Sequence, residues 1–598
     1  MKKVYILGIS AFYHNSAAAL VKNGKIVAAA EEERFTRIKG DASFPVKAIS
    51  FCLEKEKITM DDIDKVVYYE DVVEKFGRIL TTTLINSPAS IRQYFYSIPK
   101  WVSENIWTQN KIIKELGIKN EKLSFIPHHL SHAASAFYPS PFEEAAVLTI
   151  DGAGEWGTMS WGVCKENKIN LMKEMRFPNS LGLLYSAFTV YTGFKVNNGE
   201  YKMMGLAPYG KPEYTDVIKK HLVKINEDGS VMLNQKYFSY ATGTDTINKK
   251  FEQLFGRKRR TPESEMDLFY ADIAASIQSV TDEIILKCAR HIKKVTGMKN
   301  LVLAGGVALN VTSMGKLRTS GIFDNIWIQP AAGDAGGAVG AALYGFYSMT
   351  NEKRIPSEND SMNNSYLGYV IKDSNKNDDA LLKELGGVWE SYNTEALQRK
   401  IAELIDEGKV VAVARGGAEF GPRALGNRSI LADARRADML QKLNMKIKFR
   451  EGFRPFAPAV IEEDVQNYFE FEGRSPYMLY TFPVKKERRT GVEFGNTVSE
   501  TASKSRSDIP AVTHVDYSAR IQTVNKDDSP FFYGVLQKFR QLTGCSVVVN
   551  TSFNVRGEPI VNNAVDAYRC FMKSGIDCVV IGNRLIMKDK QKGGESDE

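Results

Sequence analysis

The segment "FIPHHLSHAASAF" places His128, His129 and His132 side by side in a chain that has only seven histidines among 598 residues. On a helix, residues four apart project from one face about a turn from each other. His128 and His132 can therefore offer two imidazoles to one cation, while His129 points elsewhere and is left to hydrogen-bond. Two imidazoles leave a divalent metal short of ligands, and carboxylates are the natural supplement. Asp151 ends the apolar run "AAVLTI", and Asp334 falls in a Gly-rich loop expected after "IWIQP". Both are strand-end positions, where side chains face a cleft. Two histidines with two aspartates suit Fe2+, Mn2+ or Zn2+ better than Mg2+, which prefers oxygen ligands and water. The plain alternative is a helix cap with incidental histidines and two ordinary loop aspartates.

Other residues suggest nucleotide and phosphate chemistry. Gly305 and Gly306 follow a short apolar strand and open a helix whose N-terminal amides can meet a nucleotide, and Asn310 at the end of that turn can bond a ribose or base. "NNGEYKMMGLAPYGKP" reads as a loop, with Lys202 as a phosphate partner or as part of a turn-rich connection. Towards the C-terminus, "RGGAEFGPRALGNRSILADAR" carries Arg415, Arg423, Arg428 and Arg435 among glycines. "KIKFREGFRPFAPAV" adds Lys448, Arg450 and Arg454, and "NTSFNVRGEP" supplies Ser552, Asn554 and Arg556 after a buried strand. Guanidinium forks bind phosphate bidentately, and small residues let backbone amides approach its oxygens. A pocket for small phosphate compounds is the favoured reading. Nucleic acid would call for interleaved aromatics or a larger charge excess.

These residues hang on a recognisable framework. "VYILGISAFYHNSAAALVKNGKIVAAAEEERF" is a buried strand, a polar loop and two strands joined at Asn23-Gly24, the strongest short hairpin signal. "AAVLTIDGAGEWGTMSWGVCKENKINLMKEMRF" repeats the plan, which suggests two related halves. A helix is expected over 268–295, and "NLVLAGGVALN" and "IWIQPAAGDAGGAVGAALYG" are strand-loop-helix units of an α/β fold. The polar stretch 350–364 reads as a linker or long surface loop, and "KDKQKGGESDE" as a disordered tail.

Bulk composition excludes several classes. The length calls for two to four domains at roughly 150 residues each. A net charge of +8, from 79 basic and 71 acidic residues, argues for neither nucleic acid nor a membrane surface. Six scattered cysteines, without a C-x-x-C pair, point to a reduced compartment and against a zinc ribbon. No apolar run approaches a membrane span. The N-terminus could pass for a secretory leader, but the hairpin that follows makes it a buried strand, so a cytoplasmic protein is expected.

Taken in order, "HNSAAAL", "HHLSHAASAF", "TIDGAGEWGT", "MGLAPYG", "GGVALN", "GDAGGAVGAAL", "FGPRALGNRSIL", "FRPFAP" and "NTSFNVRGEPIV" resemble the O-carbamoyltransferases of the nodulation-protein NodU and cephem carbamoyltransferase family, from about residue 5 to 585. The resemblance implies an α/β chain with an N-terminal ASKHA-type domain of two ribonuclease-H-like halves, over 1–360, and a C-terminal YrdC-like domain, over 361–598. It implies that the second domain makes carbamoyl-AMP from carbamoyl phosphate and ATP, with Mg2+ accompanying the nucleotide. The first domain would then move the carbamoyl group to a hydroxyl, aided by Fe2+, with Mn2+ or Zn2+ as alternatives. By motif, the metal ligands would be His128, His132, Asp151 and Asp334, and His14 the catalytic histidine. The activating site would use Arg423, Arg428, Lys448, Arg454, Arg520, Ser552 and Asn554. The expected partner is a small-molecule hydroxyl acceptor, with a homodimer as an open alternative. Residues 75–115 and 215–265 match nothing in the family pattern, so acceptor specificity is expected there. Two other readings stand beside this one: a tRNA threonylcarbamoyl-modifying enzyme, disfavoured by the near-balanced charge, and an ATP-switched binding protein, which would leave the histidine pair without a purpose. Hydrogenase maturation would require paired-cysteine zinc fingers, which the sequence lacks.

Overall fold

The computed structural model describes residues 3–103, 105–243 and 245–591. The chain forms two compact units. The first is Met1–Glu32 with Ala42–Ser361, and the second is Glu33–Asp41 with Met362–Glu598.

Two five-stranded sheets build the first unit. One contains β1 (Tyr5–Ser10), β2 (Ala17–Lys22), β3 (Lys25–Glu31), β4 (Lys65–Tyr68) and β5 (Leu123–Phe125), in the order β3-β2-β1-β4-β5. The β2–β3 turn has positive φ at Asn23 and Gly24, as the Asn-Gly signal requires. The other sheet uses β6 (Glu144–Ile150), β7 (Gly157–Lys165) and β8 (Lys168–Arg176). After a separate hairpin of β9 (Val223–Ile225) and β10 (Val231–Leu233), it is completed by β11 (Asn300–Ala304) and β12 (Asn325–Ile328). Its order is β12-β11-β6-β7-β8. In each sheet the first three strands in chain order pair antiparallel and the last two run parallel to the first. The two sheets therefore share one connectivity, that of duplicated ribonuclease-H-like halves.

Small residues let the helices lie close. The helix Asp334–Thr350, "DAGGAVGAALYGFYSMT", packs on β1 and on the helix His128–Phe137. A Cβ at Gly8 would stand 1.9 Å from the Ala338 carbonyl oxygen, and one at Gly340 would stand 1.8 Å from that of Ser131. The helix Leu268–Thr296 fits the expected span, capped by the Asp267 carboxylate on the Phe269 amide at 2.8 Å and by Gly297 with φ 67°. The 197–212 segment departs from the loop expectation. Its Gly/Asn-rich start hides a helix, Glu200–Leu206, that buries Met203 and Leu206. The stretch after residue 350 is irregular as expected, yet tied down. Buried Arg354 donates to the carbonyls of Tyr138 (2.9 Å), Phe142 (2.6 Å) and Ser140.

The second unit centres on an eight-stranded mixed sheet. Its order is Glu390–Ser391, Arg584–Met587, Cys578–Ile581, Val411–Ala414, Arg428–Asp433, Val547–Ser552, Ala457–Ile461 and Gln522–Val524. The helices Thr394–Asp406 and Pro530–Thr543 pack on each other through apolar faces. Of the expected tail, Lys588–Lys590 forms a 3₁₀ turn and Gln591 is buried, so this part is ordered; residues 592–598 lie outside the described residues. Among the described residues no helix is long and apolar enough to cross a membrane.

Candidate metal centre and cationic pocket

His128 opens its helix directly after Pro127, and the Glu155 carboxylate accepts the buried first-turn amide of His128 at 2.9 and 3.1 Å. Glu155 also accepts the Asp71 amide at 2.6 Å, joining the chain after β4 to the histidine helix. The four-residue spacing brings the Nε2 atoms of His128 and His132 to 3.1 Å. Asp151, just past β6, places Oδ2 at 3.2 Å from His128 Nε2 and 3.9 Å from His132 Nε2. Asp334 brings Oδ1 to 3.8 and 3.7 Å from the same two nitrogens. It is the first residue of a helix rather than a loop residue, because the glycines expected to form a loop instead let the helix start there. The four donor atoms lie within 4.8 Å of one another.

This set fits a divalent cation. Metal–nitrogen bonds of about 2.0–2.1 Å put neighbouring nitrogens roughly 3.0–3.4 Å apart, and the imidazole pair meets that spacing. The electrostatics agree. Burial opposes charge on His128, but its hydrogen bond to Asp151 and the fields of Asp334 and Asp151 outweigh burial and raise its pKa to about 9. Burial likewise opposes ionisation of Asp151, but His128 and His132 hold its carboxyl well below the usual carboxylate range. Two carboxylates facing two imidazoles thus create a buried site that favours positive charge. His129 is different. Its Nδ1 pairs with Thr149 Oγ1 at 2.7 Å, and burial with the nearby His128 and His132 pushes it down to about 3, which leaves a neutral structural hydrogen-bonder.

His14 lies at the edge of this tetrad, with Nε2 at 3.7 Å from Asp334 Oδ2 and Nδ1 at 3.1 Å from Asn15 Oδ1. If Nδ1 donates to Asn15, Nε2 keeps its lone pair. Several neighbours escaped sequence reading. The Tyr13 ring lies 4.6 Å from that of His14, and the Lys75 ammonium stands 5.1 Å from the Tyr13 ring while paired with Glu70 at 2.5 Å. Arg78, one turn on, lies over Phe177 at 5.0 Å. Glu155, Glu70, Lys75 and Arg78 are common surface residue types, and no local pattern marks them.

Of the four residues expected at a nucleotide, Gly305, Gly306 and Asn310 share one turn after β11. The Gly306 amide donates to Asp151 Oδ1 at 2.9 Å, so this turn supports a metal-type ligand. Asn310 caps the helix Val311–Thr319 and is buried in mutual hydrogen bonds with Gln278, at 3.1 Å each. Gly305 has φ 90°, where a Cβ would run into the Ile150 carbonyl at 2.3 Å. Lys202 lies over the Phe194 ring at 5.8 Å.

In the second unit, buried Glu419 organises the first arginine-bearing loop. Its Oε1 accepts the amides of Leu425 (2.7 Å), Asn427 (2.9 Å) and Arg428 (3.2 Å). Arg428 departs from the expected ligand role. It is fully buried, and all three guanidinium nitrogens donate to carbonyls, among them Asn562 (3.0 Å), Arg415 (2.9 Å) and Tyr369 (2.8 Å). Its place between strand ends makes it a scaffold for the loop. Arg415 is held by Asp373 at 2.6 Å and Arg435 by Asp406 and Asp433. Lys448 reaches the Asn554 carbonyl (2.9 Å), Asn554 Oδ1 (3.0 Å) and Ser552. Burial, then Arg450 and Arg454, pushes the Lys448 ammonium well below its ordinary range. Burial and the fields of Arg423, Arg454 and Arg450 do the same to Arg520. The structure therefore gathers Arg423, Lys448, Arg450, Arg454, Arg520, Ser552 and Asn554. So many like charges near one another leave an anion as the natural complement.

The first unit thus holds a two-histidine, two-aspartate cluster that could hold a cation, and the second gathers arginine and lysine side chains. The family described as "Carbamoyltransferase N-terminus" matches residues 5–343, and "Carbamoyltransferase C-terminus" matches residues 402–588. The chain belongs to the carbamoyltransferase family, and it is an enzyme that transfers carbamoyl groups. It is 49% identical to a Synechocystis sp. protein, "Uncharacterized protein sll1178", over 99% of this chain and 98% of that one. It is 36% identical to "Nodulation protein NolNO" of Sinorhizobium fredii, over 96% of this chain and 79% of the relative. It is also 31% identical to "Uncharacterized protein MJ1051" of Methanocaldococcus jannaschii, over 96% and 98%.

Proposed function

We propose that this carbamoyltransferase forms carbamoyl-AMP in its second unit and passes the carbamoyl group to a small-molecule hydroxyl in its first. A carbamoyl carbon is a poor electrophile because its nitrogen donates into the carbonyl, so the group must be carried on a good leaving group. Atom balance divides the activation into two steps. Water cleaves carbamoyl phosphate to carbamate and inorganic phosphate; a carbamate oxygen then attacks the α-phosphorus of ATP, and pyrophosphate leaves. The cationic pocket would hold these anions and neutralise their charge during both steps.

In the first unit, His128, His132, Asp151 and Asp334 would hold the cation; the ligand set suits Fe2+, Mn2+ or Zn2+, and the family resemblance favours Fe2+. When bound, such an ion supplies Lewis-acid stabilisation of developing negative charge. The acceptor oxygen attacks the carbamoyl carbon, the bond to the phosphate oxygen breaks, and AMP leaves. His14 Nε2 takes the hydroxyl proton, a contribution typically worth about 10² to 10⁴ in rate. Asn15 would hold His14 in the tautomer this requires.

The observation that carries this reading is the closure of the four ligand atoms within 4.8 Å beside His14. Carbamoyl-phosphate-dependent pyrophosphate release is expected to vanish in Arg454→Ala and to survive in His128→Ala, while carbamoyl transfer is lost in both. Equal loss of pyrophosphate release in the two variants would refute the division of labour.

A further inference from the structure

The segment Glu33–Asp41, "ERFTRIKGD", follows β3 of the first unit directly in the chain yet packs within the second unit. It is closed on itself: the Glu33 carboxylate takes the Lys39 ammonium at 3.1 Å and the Gly40 amide at 2.7 Å, and Thr36 Oγ1 donates to Asp41 at 2.6 Å. From this base two arginines reach outward. Arg34, buried, donates from Nη2 to the Gly421 carbonyl at 2.7 Å. Arg37 donates from Nη1 to the Ile560 carbonyl at 2.7 Å and from Nη2 to that of Pro559 at 2.8 Å, with Asp566 at 3.8 Å. Arg37 also holds φ 63°, a left-handed conformation that a non-glycine residue keeps only when its surroundings compensate.

The carbonyls they hold belong to two loops that serve the cationic pocket. Gly421 lies two residues before Arg423, in the loop folded around Glu419. Pro559 and Ile560 close the loop that begins at Ser552, in which Asn554 Nδ2 donates to the Glu558 carbonyl at 2.8 Å. Both loops contain glycines at positive φ, Gly421 and Gly426 in one and Gly557 in the other, where alternative backbone conformations come cheaply. We propose that Arg34 and Arg37 are positioning residues for the cationic pocket, clamping the Arg423 loop and the Ser552–Asn554 loop in their anion-binding arrangement. The segment that precedes most of the first unit in sequence thereby becomes part of the second unit's site.

This inference rests on the reading of the second unit as the site for carbamoyl phosphate and ATP, and it has a kinetic signature. A loop that adopts its competent form only part of the time weakens apparent affinity by that fraction, whereas saturating ligand restores the form. In the full-length enzyme, Arg37→Ala is expected to raise KM for carbamoyl phosphate on the order of 10- to 100-fold in pyrophosphate release, with kcat retained. Arg37→Lys, which replaces two donors in a fixed fork with a single ammonium, should fall between. Amide exchange should quicken in the loop 552–562 of either variant and in the loop 419–427 of Arg34→Lys. Lower kcat with unchanged KM, in step with a smaller folded fraction, would reduce Arg37 to an ordinary structural contact and overturn the proposal. If Arg37→Ala does not fold, Arg37→Lys and Arg34→Lys decide by the same split. If the wild-type enzyme releases no pyrophosphate, the functional reading fails. Titration with inorganic phosphate, followed by amide exchange at 552–562, then tests the clamp alone: about tenfold weaker binding in Arg37→Lys supports it, and unchanged binding refutes it.

Discussion

Lys448 sits in a place that discourages its charge. Burial and the neighbouring Arg450 and Arg454 depress its pKa in the folded chain, while the unfolded chain leaves it near the ordinary lysine value. Between those two values the unfolded state binds more protons than the folded one, so stability rises with pH across that window. A bound dianion reverses the local balance by favouring the ammonium. Binding of inorganic phosphate at a pH between those two values should therefore take up protons, detectable as a dependence of calorimetric heat on buffer ionisation enthalpy. The uptake should shrink in Lys448→Met, and proton release on binding would contradict this account. Glu155 shows a related economy of position: one carboxylate accepts the amides of His128 and Asp71 and so orients a metal-type ligand from behind.

Helix packing decides whether the tetrad closes. Asp334 begins a helix whose small residues let it approach the histidine helix until backbone nearly meets backbone. At Gly340 the approach leaves no room, since a Cβ would stand 1.8 Å from the Ser131 carbonyl oxygen. Gly340→Ala must push the two helices apart and carry Asp334 away from His128 and His132. Overpacking of this kind costs about 1–3 kcal/mol. The expected result is a lower unfolding midpoint together with loss of stoichiometric Fe2+ or Zn2+ binding. Metal binding that survives at wild-type affinity would show that the Asp334 position does not depend on this contact.

Across the chain, the six cysteines share one environment. Cys52, Cys164, Cys288, Cys545, Cys570 and Cys578 are all free and buried, and burial pushes the thiols of Cys52 and Cys288 up to about 12. A thiol that neither ionises nor meets solvent is a poor nucleophile. The native protein should resist alkylation by iodoacetamide near neutral pH and take up the reagent at all six positions after denaturation, as read by mass. Rapid modification of any one cysteine in the folded state would mark a locally open region.

Local spacing carried much of this molecule. The four-residue gap between His128 and His132, the Asn23-Gly24 turn and the repeated strand pattern each depend on neighbours in sequence, and backbone geometry allows them few outcomes. Strand-end placement also marked Asp151 and Asp334, and family motifs added His14. Direction and partnership over long separations needed the tertiary structure. Arginines were legible as charge, yet Arg428 turns its guanidinium onto carbonyls of residues far along the chain, and Lys202 lies on a helix where a loop was expected. Glu155, Lys75 and the Arg34–Arg37 clamp were hidden for the same reason. A side chain's chemistry is written in its type, but which of its possible partners it meets depends on packing that joins distant segments, and no local pattern encodes that.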